Sequence, residues 1–306
     1  MIDINDILPI LKSVFSNEIK LVKPIFKGVM TFKFEFTYHN INYIIRIYPQ
    51  NREEIASLEK EIYGILTEHN IKIPLYITSS IELRHSKINF IIYRKLEGFT
   101  LREIFTRLSD EQKTNLVCQI KENYERISEI KTKGSGIITN SVNCSHSLWI
   151  NFLKDVINKS YPYIIKTDSL KGINSTRLLE KLLAEVKVYI PERNNLIWSD
   201  FSEDNIIISE KGQLIGFIDF ECMMGGDSLL GIGYLYAQDG DAEFSQLYNS
   251  LFVNESQYRL IKFYSVIRYL RLLSYLHLPL PNGQVRDPLN KFLPKAYEII
   301  KQYSTS

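Results

Sequence analysis

Apolar and polar residues alternate strictly along Phe32-Lys-Phe-Glu-Phe-Thr-Tyr38. After His39-Asn-Ile-Asn42, a second apolar-rich run follows, Tyr43-Ile-Ile-Arg-Ile-Tyr48. A period of two on either side of a short polar connection predicts a β-hairpin with one buried face. The period then changes. Ile55, Leu58, Ile62, Ile65 and Leu66 fall on one side of a helix expected over 52–69, and a shorter amphipathic helix is expected over 6–17. Pro74 closes that unit, and Ile88-Asn-Phe-Ile-Ile-Tyr93 reads as a further strand. Residues 1–95 therefore suggest a small antiparallel sheet carrying one helix.

From Thr100 onward the spacing is mostly helical, over 109–131, 146–160, 176–189 and 256–277. Leu108-Ser-Asp-Glu-Gln112 has the composition of a helix start, with Ser109 or Asp110 as cap. The helical spacing is interrupted by a hairpin over 196–219, while Gly134-Ser-Gly136 and Pro279-Leu-Pro-Asn-Gly283 read as loops. The expected fold is α+β with two lobes, 1–95 and 96–306, joined by Arg94-Lys-Leu-Glu-Gly98 and separated by a cleft of the kind ligands prefer.

Composition narrows the classes. The chain has 306 residues, 45% apolar and 24% charged, which is ordinary for a globular protein with a substantial core. A net charge of +2 without any Lys/Arg run gives no reason to expect a nucleic-acid partner. Cys118, Cys144 and Cys222 lie far apart without ligand spacing, so neither a disulfide framework nor a zinc site is expected. The first residues do not have the pattern of a signal peptide, and no uncharged apolar run nears the roughly 18 residues needed to span a bilayer. A cytoplasmic monomer without a membrane partner is the expectation.

Candidate chemistry lies in the second hairpin. Leu196-Ile-Trp-Ser-Asp-Phe-Ser-Glu-Asp-Asn-Ile-Ile-Ile208 places Asp200 five residues before Asn205, and Leu214-Ile-Gly-Phe-Ile218 leads straight into Asp219. Phosphoryl transfer needs a carboxylate to align the acceptor hydroxyl and take its proton. It also needs an amide oxygen and a second carboxylate to hold magnesium against the phosphates. Asp110 also stands five residues before an Asn, Asn115, but at the expected start of a helix, so spacing alone does not carry the reading; the flanking strands do. The plain alternative is a hairpin with solvated acids at its ends.

These residues resemble those of the aminoglycoside phosphotransferase family, whose members have a protein-kinase-like fold, and the pattern is nearest to the hygromycin B phosphotransferases. Trp198-Ser-Asp-Phe-Ser-Glu-Asp-Asn205 resembles the family's catalytic loop, and Ile218-Asp-Phe-Glu221 with Gly226-Asp-Ser228 its metal-binding segment. Tyr43-Ile-Ile-Arg-Ile-Tyr48 is similar to the strand with the phosphate-binding cation, and Tyr93-Arg-Lys-Leu-Glu-Gly-Phe-Thr-Leu101 to the hinge. Gly134-Ser-Gly136 and Trp149-Ile-Asn-Phe-Leu153 match a further family element.

The resemblance implies that Asp200 is the catalytic base and that Asn205 and Asp219 bind Mg2+. It implies that Arg46 contacts the phosphates of ATP or GTP, and that Glu61, with Glu59 as rival, pairs with Arg46. Backbone groups from Arg94 to Leu96 would meet the nucleotide base. Trp198 stands where the family usually has His, Arg46 where kinases have Lys, and Gly231 where an acid is common. The phosphate-covering segment Lys27-Gly-Val-Met-Thr31 holds one glycine, Gly28.

Each residue has a plainer reading. Arg46 could be a solvent-facing strand residue, Glu61 a surface charge, Asp227 a helix cap and Trp149 a packing anchor. Glu203, Asp204 and Glu221 form either a solvated acidic rim or a surface for a cationic substrate. The implied function is transfer of the γ-phosphoryl group to a hydroxyl of an aminoglycoside-type antibiotic. The alternatives are a kinase of a small hydroxylated metabolite and a catalytically silent kinase-like binding protein.

Overall fold

The alternation along 32–48 does form a hairpin, and it becomes the centre of a five-stranded sheet. A computed structural model of the chain describes residues 2–26, 30–83, 88–166, 174–188, 190–239, 243–275 and 293–305. These divide into two compact units, one up to Glu97 and one from Gly98. The first contains α1 (Ile4–Phe15), β1 (Lys20–Ile25), β2 (Phe32–Tyr38), β3 (Ile41–Tyr48), α2 (Glu53–Glu68), β4 (Tyr76–Ser79) and β5 (Asn89–Arg94). Its strands run in the order β1-β2-β3-β5-β4, all antiparallel, with Arg46 opposite Lys33 on one side and Ile91 on the other.

Strand parity separates the two faces of this sheet. Phe34, Phe36, Tyr43, Ile45, Ile47 and Phe90 pack with Ile7, Leu11 and Phe15 of α1, whose first turn is closed by the reciprocal Asp3/Asp6 capping box. Ile44, Arg46 and Tyr48 belong to the opposite face. In α2 the buried positions include Ala56, Glu59, Ile62, Tyr63 and Leu66. That stripe puts a carboxylate among apolar groups, and only a buried partner makes such a position tolerable.

The second unit opens with β6 (Phe99–Thr100) and α3 (Leu101–Ile104), then α4 (Asp110–Glu129), β7 (Ser135–Asn140), β8 (Asn143–His146), α5 (Trp149–Lys166) and α6 (Ser175–Val188). It continues through β9 (Asn195–Trp198), β10 (Ile206–Ile208), β11 (Leu214–Phe217) and β12 (Met223–Gly226). The helices α7 (Leu229–Asp239), α8 (Glu243–Phe252), α9 (Glu255–Tyr275) and α10 (Leu293–Thr305) complete it. Ser109 caps α4 in a reciprocal box with Gln112, which makes Asp110 simply the first helical residue.

Two small sheets support the loops between these elements, one ordered β11-β10-β6 and one β8-β7-β12-β9. The segment read as a loop at Gly134–Gly136 instead leads into β7. Gly134 has φ +93°, and a Cβ there would stand 2.3 Å from the His146 carbonyl oxygen, so glycine permits the tight pairing with β8. The Pro279–Gly283 loop lies outside the described residues, as do Lys27, Gly28 and Val29 of the phosphate-covering segment. Among the described residues no helix is long and apolar enough to cross a membrane.

Candidate active site

In the second unit, β9 delivers the chain to Asp200, a single tight turn spans Glu203–Asn205, and β10 and β11 return it to Asp219. Asn205 fastens the loop. Its Nδ2 donates to the Asp200 backbone oxygen at 3.0 Å and to Asp200 Oδ2 at 2.8 Å. Its backbone N–H bonds Ser202 O, and its own carbonyl accepts from the Ile218 N–H at 3.0 Å, one residue before Asp219. Asp200 and Asn205 are thereby joined directly, and the loop is tied to the second acid through the backbone.

Asp219 has φ +69°, the left-handed region that non-glycine residues seldom adopt. Trp198 contributes to holding it there. Its ring is fully buried against Phe201, Phe217 and Phe220, and its Nε1–H donates to the Asp219 carbonyl at 3.2 Å. Ser199 Oγ donates to the Cys222 carbonyl on the far side of Asp219. Trp198 thus supplies both packing and an N–H donor.

Burial pushes the Asp200 carboxyl above its usual range. The Arg268 guanidinium opposes that shift, the Asp219 charge adds to it, the Asn205 hydrogen bond opposes it, and Glu221 adds to it. Asp200 keeps a third of its side chain exposed, at 34%, so one edge remains open to an incoming group. Arg268 reaches it from α9, with Nη2 at 3.9 Å from Oδ1. Sequence reasoning missed this residue. Its signal was two arginines three apart, Arg268 and Arg271, within the otherwise apolar Ser265-Val-Ile-Arg-Tyr-Leu-Arg-Leu272.

The donor set suits a hard divalent cation. Asp219 offers a carboxylate. Asn205, with its NH2 group turned to Asp200, has its amide oxygen on the opposite side. Two protein oxygens leave the remaining ligands to phosphate and water, as magnesium prefers.

Arg46 is not a solvent-facing residue; it is 2% exposed on the α2 face of the first unit's sheet. Its Nη1 lies 3.1 Å from Glu59 Oε1, its Nε donates to Thr31 Oγ1 at 3.0 Å, and Tyr48 Oη donates to the other Glu59 oxygen. The expected partner Glu61 is therefore corrected to Glu59. The inner stripe of α2 runs through 56, 59, 62, 63 and 66, and Glu61 is rotated off it to a half-buried position.

The acidic rim is also corrected in part. Glu203 is buried, and Arg102 on α3 pairs with it at 3.4 Å and with Asp204 at 2.9 Å, so these two charges are answered within the protein. Glu221 is half-buried beside Asp219, Arg94 is exposed and Leu96 half-buried. The Arg94 and Lys95 N–H groups donate to the Leu75 and Asn42 carbonyls. Asp227 caps α7, with Oδ1 accepting from the Leu229 N–H at 3.1 Å. Trp149 is buried and donates to Tyr264 Oη, which in turn donates to Asp227.

A family model described as the phosphotransferase enzyme family matches residues 23–261. No curated protein matches the chain. Among solved structures, a thermostable mutant of the aminoglycoside phosphotransferase APH(4)-Ia, in a ternary complex with ADP and hygromycin B, is 15% identical. It covers 97% of both chains with a TM-score of 0.77. The GDP complex of aminoglycoside 2'-phosphotransferase-IIIa is 16% identical, with 97% of each chain covered and a TM-score of 0.66. A putative fructosamine-3-kinase from Haemophilus somnus is 14% identical, with 97% of this chain and 96% of that chain covered and a TM-score of 0.65. At these identities the likeness establishes the fold: α+β and protein-kinase-like, with an antiparallel-sheet N-terminal unit and a mostly helical C-terminal one.

Proposed function

The chain belongs to the phosphotransferase enzyme family, and on that premise we propose that it transfers the γ-phosphoryl group of ATP or GTP to a hydroxyl of an aminoglycoside-type antibiotic. Residues 1–95 serve as the nucleotide-binding lobe and 96–306 carry the catalytic loop and acceptor site. The observation that carries the reading is the Asp200–Asn205 pair, hydrogen-bonded at 2.8 Å and tied through the Asn205 carbonyl to the segment ending in Asp219.

The Asp200 carboxylate, held in place by Asn205 at Oδ2, takes the acceptor hydroxyl's hydrogen bond and then its proton. The transition state of phosphoryl transfer is loose, so the carboxylate acts chiefly by aligning the hydroxyl rather than by strong deprotonation. Asn205 Oδ1 and the Asp219 carboxylate would hold Mg2+, which when bound neutralises charge on the phosphates. Trp198 keeps Asp219 in the conformation that presents its carboxylate.

Arg46, oriented by Glu59, Thr31 and Tyr48, contacts nucleotide phosphate as a permanently charged donor. With the Arg94 and Lys95 N–H groups engaged in the sheet, the nucleotide base falls to the Arg94 carbonyl and to Leu96. The protein acts as a cytoplasmic monomer; its three cysteines are free thiols, which suits a reducing compartment.

A second acceptor class, a small neutral hydroxylated metabolite, is favoured by one observation: the charge facing Asp200 from α9 is a cation, Arg268. Release of ADP from ATP or of GDP from GTP, measured over a panel of aminoglycosides with hygromycin B first and neutral sugars and polyols alongside, separates the two. Turnover of an aminoglycoside supports the antibiotic reading; turnover of a neutral compound alone rejects it and keeps the phosphotransferase.

A further inference from the structure

The register of the first hairpin places a second cation beside Arg46. Phe32 pairs with Ile47, so Met30 and Thr31 run alongside the end of β3. There the chain turns tightly over Gln50–Arg52, with the Arg52 N–H bonded to the Pro49 carbonyl at 2.8 Å. The turn brings Arg52 back to the same stretch, where its Nη1 donates to the Met30 carbonyl at 3.2 Å. Arg46 Nε donates to Thr31 Oγ1 at 3.0 Å. Two guanidiniums are thus anchored to adjacent residues, whose Cα atoms are ~3.8 Å apart. They meet the chain where the phosphate-covering segment Lys27-Gly-Val-Met-Thr31 enters β2.

The two cations differ in what they offer an anion. Arg46 is 2% exposed, its charge is met by Glu59 at 3.1 Å, and its guanidinium lies 5.7 Å from the centre of the Tyr48 ring. A buried ion pair of that kind carries no net charge outward. Arg52 is half-buried, and the Met30 carbonyl takes a hydrogen bond from it without cancelling its charge. Glu54, two residues on, is exposed, where water screens it. The covering segment holds a single glycine, whereas a phosphate cradle built of backbone N–H groups is glycine-rich. A planar, permanently charged fork supplies by side chain what such a loop supplies by backbone.

We propose that Arg52 is a nucleotide-phosphate residue of this chain: with Arg46 it forms a two-arginine clamp on the polyphosphate, in place of a glycine-rich cradle. The inference rests on the reading of residues 1–95 as the nucleotide-binding lobe, and it names what grips the phosphates there. Arg52 contacts phosphate; Thr31 and the Met30 carbonyl position the clamp.

The test measures binding of ADP and of adenosine to the full chain by calorimetry, for wild type, Arg52→Gln and Arg52→Lys, with a thermal melt of each. Gln keeps an N–H donor for the Met30 carbonyl and loses the charge; Lys keeps the charge. Wild type is expected to bind ADP more tightly than adenosine. Arg52→Gln is expected to lose about tenfold to a hundredfold in ADP affinity, with adenosine affinity and melt near wild type, and its ADP binding should depend less on salt. Arg52→Lys is expected to recover most of the loss. An Arg52→Gln protein that keeps wild-type ADP affinity overturns the inference. So does one that loses ADP and adenosine in equal measure, or an Arg52→Lys protein as weak as Arg52→Gln, since either marks a merely structural role. A wild type that binds adenosine as tightly as ADP, or binds neither, overturns the nucleotide-lobe reading itself, an outcome distinct from phosphate binding that ignores Arg52.

Discussion

Removing the indole N–H of Trp198 while keeping an aromatic ring tests what holds Asp219. Trp198→Phe leaves the Asp219 carbonyl without its 3.2 Å donor in a part-buried setting. An acceptor orphaned in that way destabilises by about 1–3 kcal/mol. Trp198→Ala, by contrast, empties a fully buried site among three Phe rings and is expected to cost ~3–5 kcal/mol. In a domain of this size each kcal/mol lowers Tm by about 2–4 °C, so thermal melts separate the two variants.

The Phe variant should also free Asp219 to leave φ +69°, weakening the Mg2+-dependent part of nucleotide affinity by roughly 5- to 100-fold. Calorimetry with ADP, with and without Mg2+, measures that part. The reasoning fails if Trp198→Phe melts with wild type and keeps its full Mg2+ effect, because the N–H would then be idle and the ring only filler. A stably folded Trp198→Ala that had lost acceptor binding alone would instead make the ring a ligand contact.

Two further outcomes are expected. Glu59→Ala removes the buried carboxylate paired with Arg46 and should destabilise by ~3–5 kcal/mol, whereas Glu61→Ala stays within ~1 kcal/mol; urea titrations of both variants check which acid holds Arg46. Asp219→Ala should abolish the difference in nucleotide affinity with and without Mg2+ while leaving the melt near wild type, and an unchanged difference would place the metal on other residues.

The elements that could be read from sequence are those whose burial is one-sided. The 32–48 alternation gave the β2–β3 pair because one face of that sheet packs on α1, and the run Leu108–Gln112, with Ser109 or Asp110 as cap, marked the start of α4. Elements packed on all sides left no such stripe. In Leu229-Leu-Gly-Ile-Gly-Tyr-Leu-Tyr-Ala237 of α7, apolar residues occur all round and glycine lowers helix propensity, so no helix was expected there. Gly231 is required by that packing. A Cβ would stand 2.0 Å from Tyr124 Oη and 2.8 Å from the Trp198 carbonyl, which accounts for glycine at this position. At the site, Asp200, Asn205 and Asp219 could be named because they lie within one hairpin. Arg268 and Arg102 could not, since they reach the loop from α9 and α3 and only tertiary packing brings them there.

The most direct measurement is single-turnover phosphoryl transfer by wild type and Asp200→Asn at equal, saturating nucleotide and Mg2+. Asn keeps the shape of the side chain beside Asn205, so the variant should fold and bind nucleotide within a few-fold of wild type. Its transfer rate should fall by ~10²–10⁴. Transfer at the wild-type rate by a folded, nucleotide-bound Asp200→Asn protein would contradict the account.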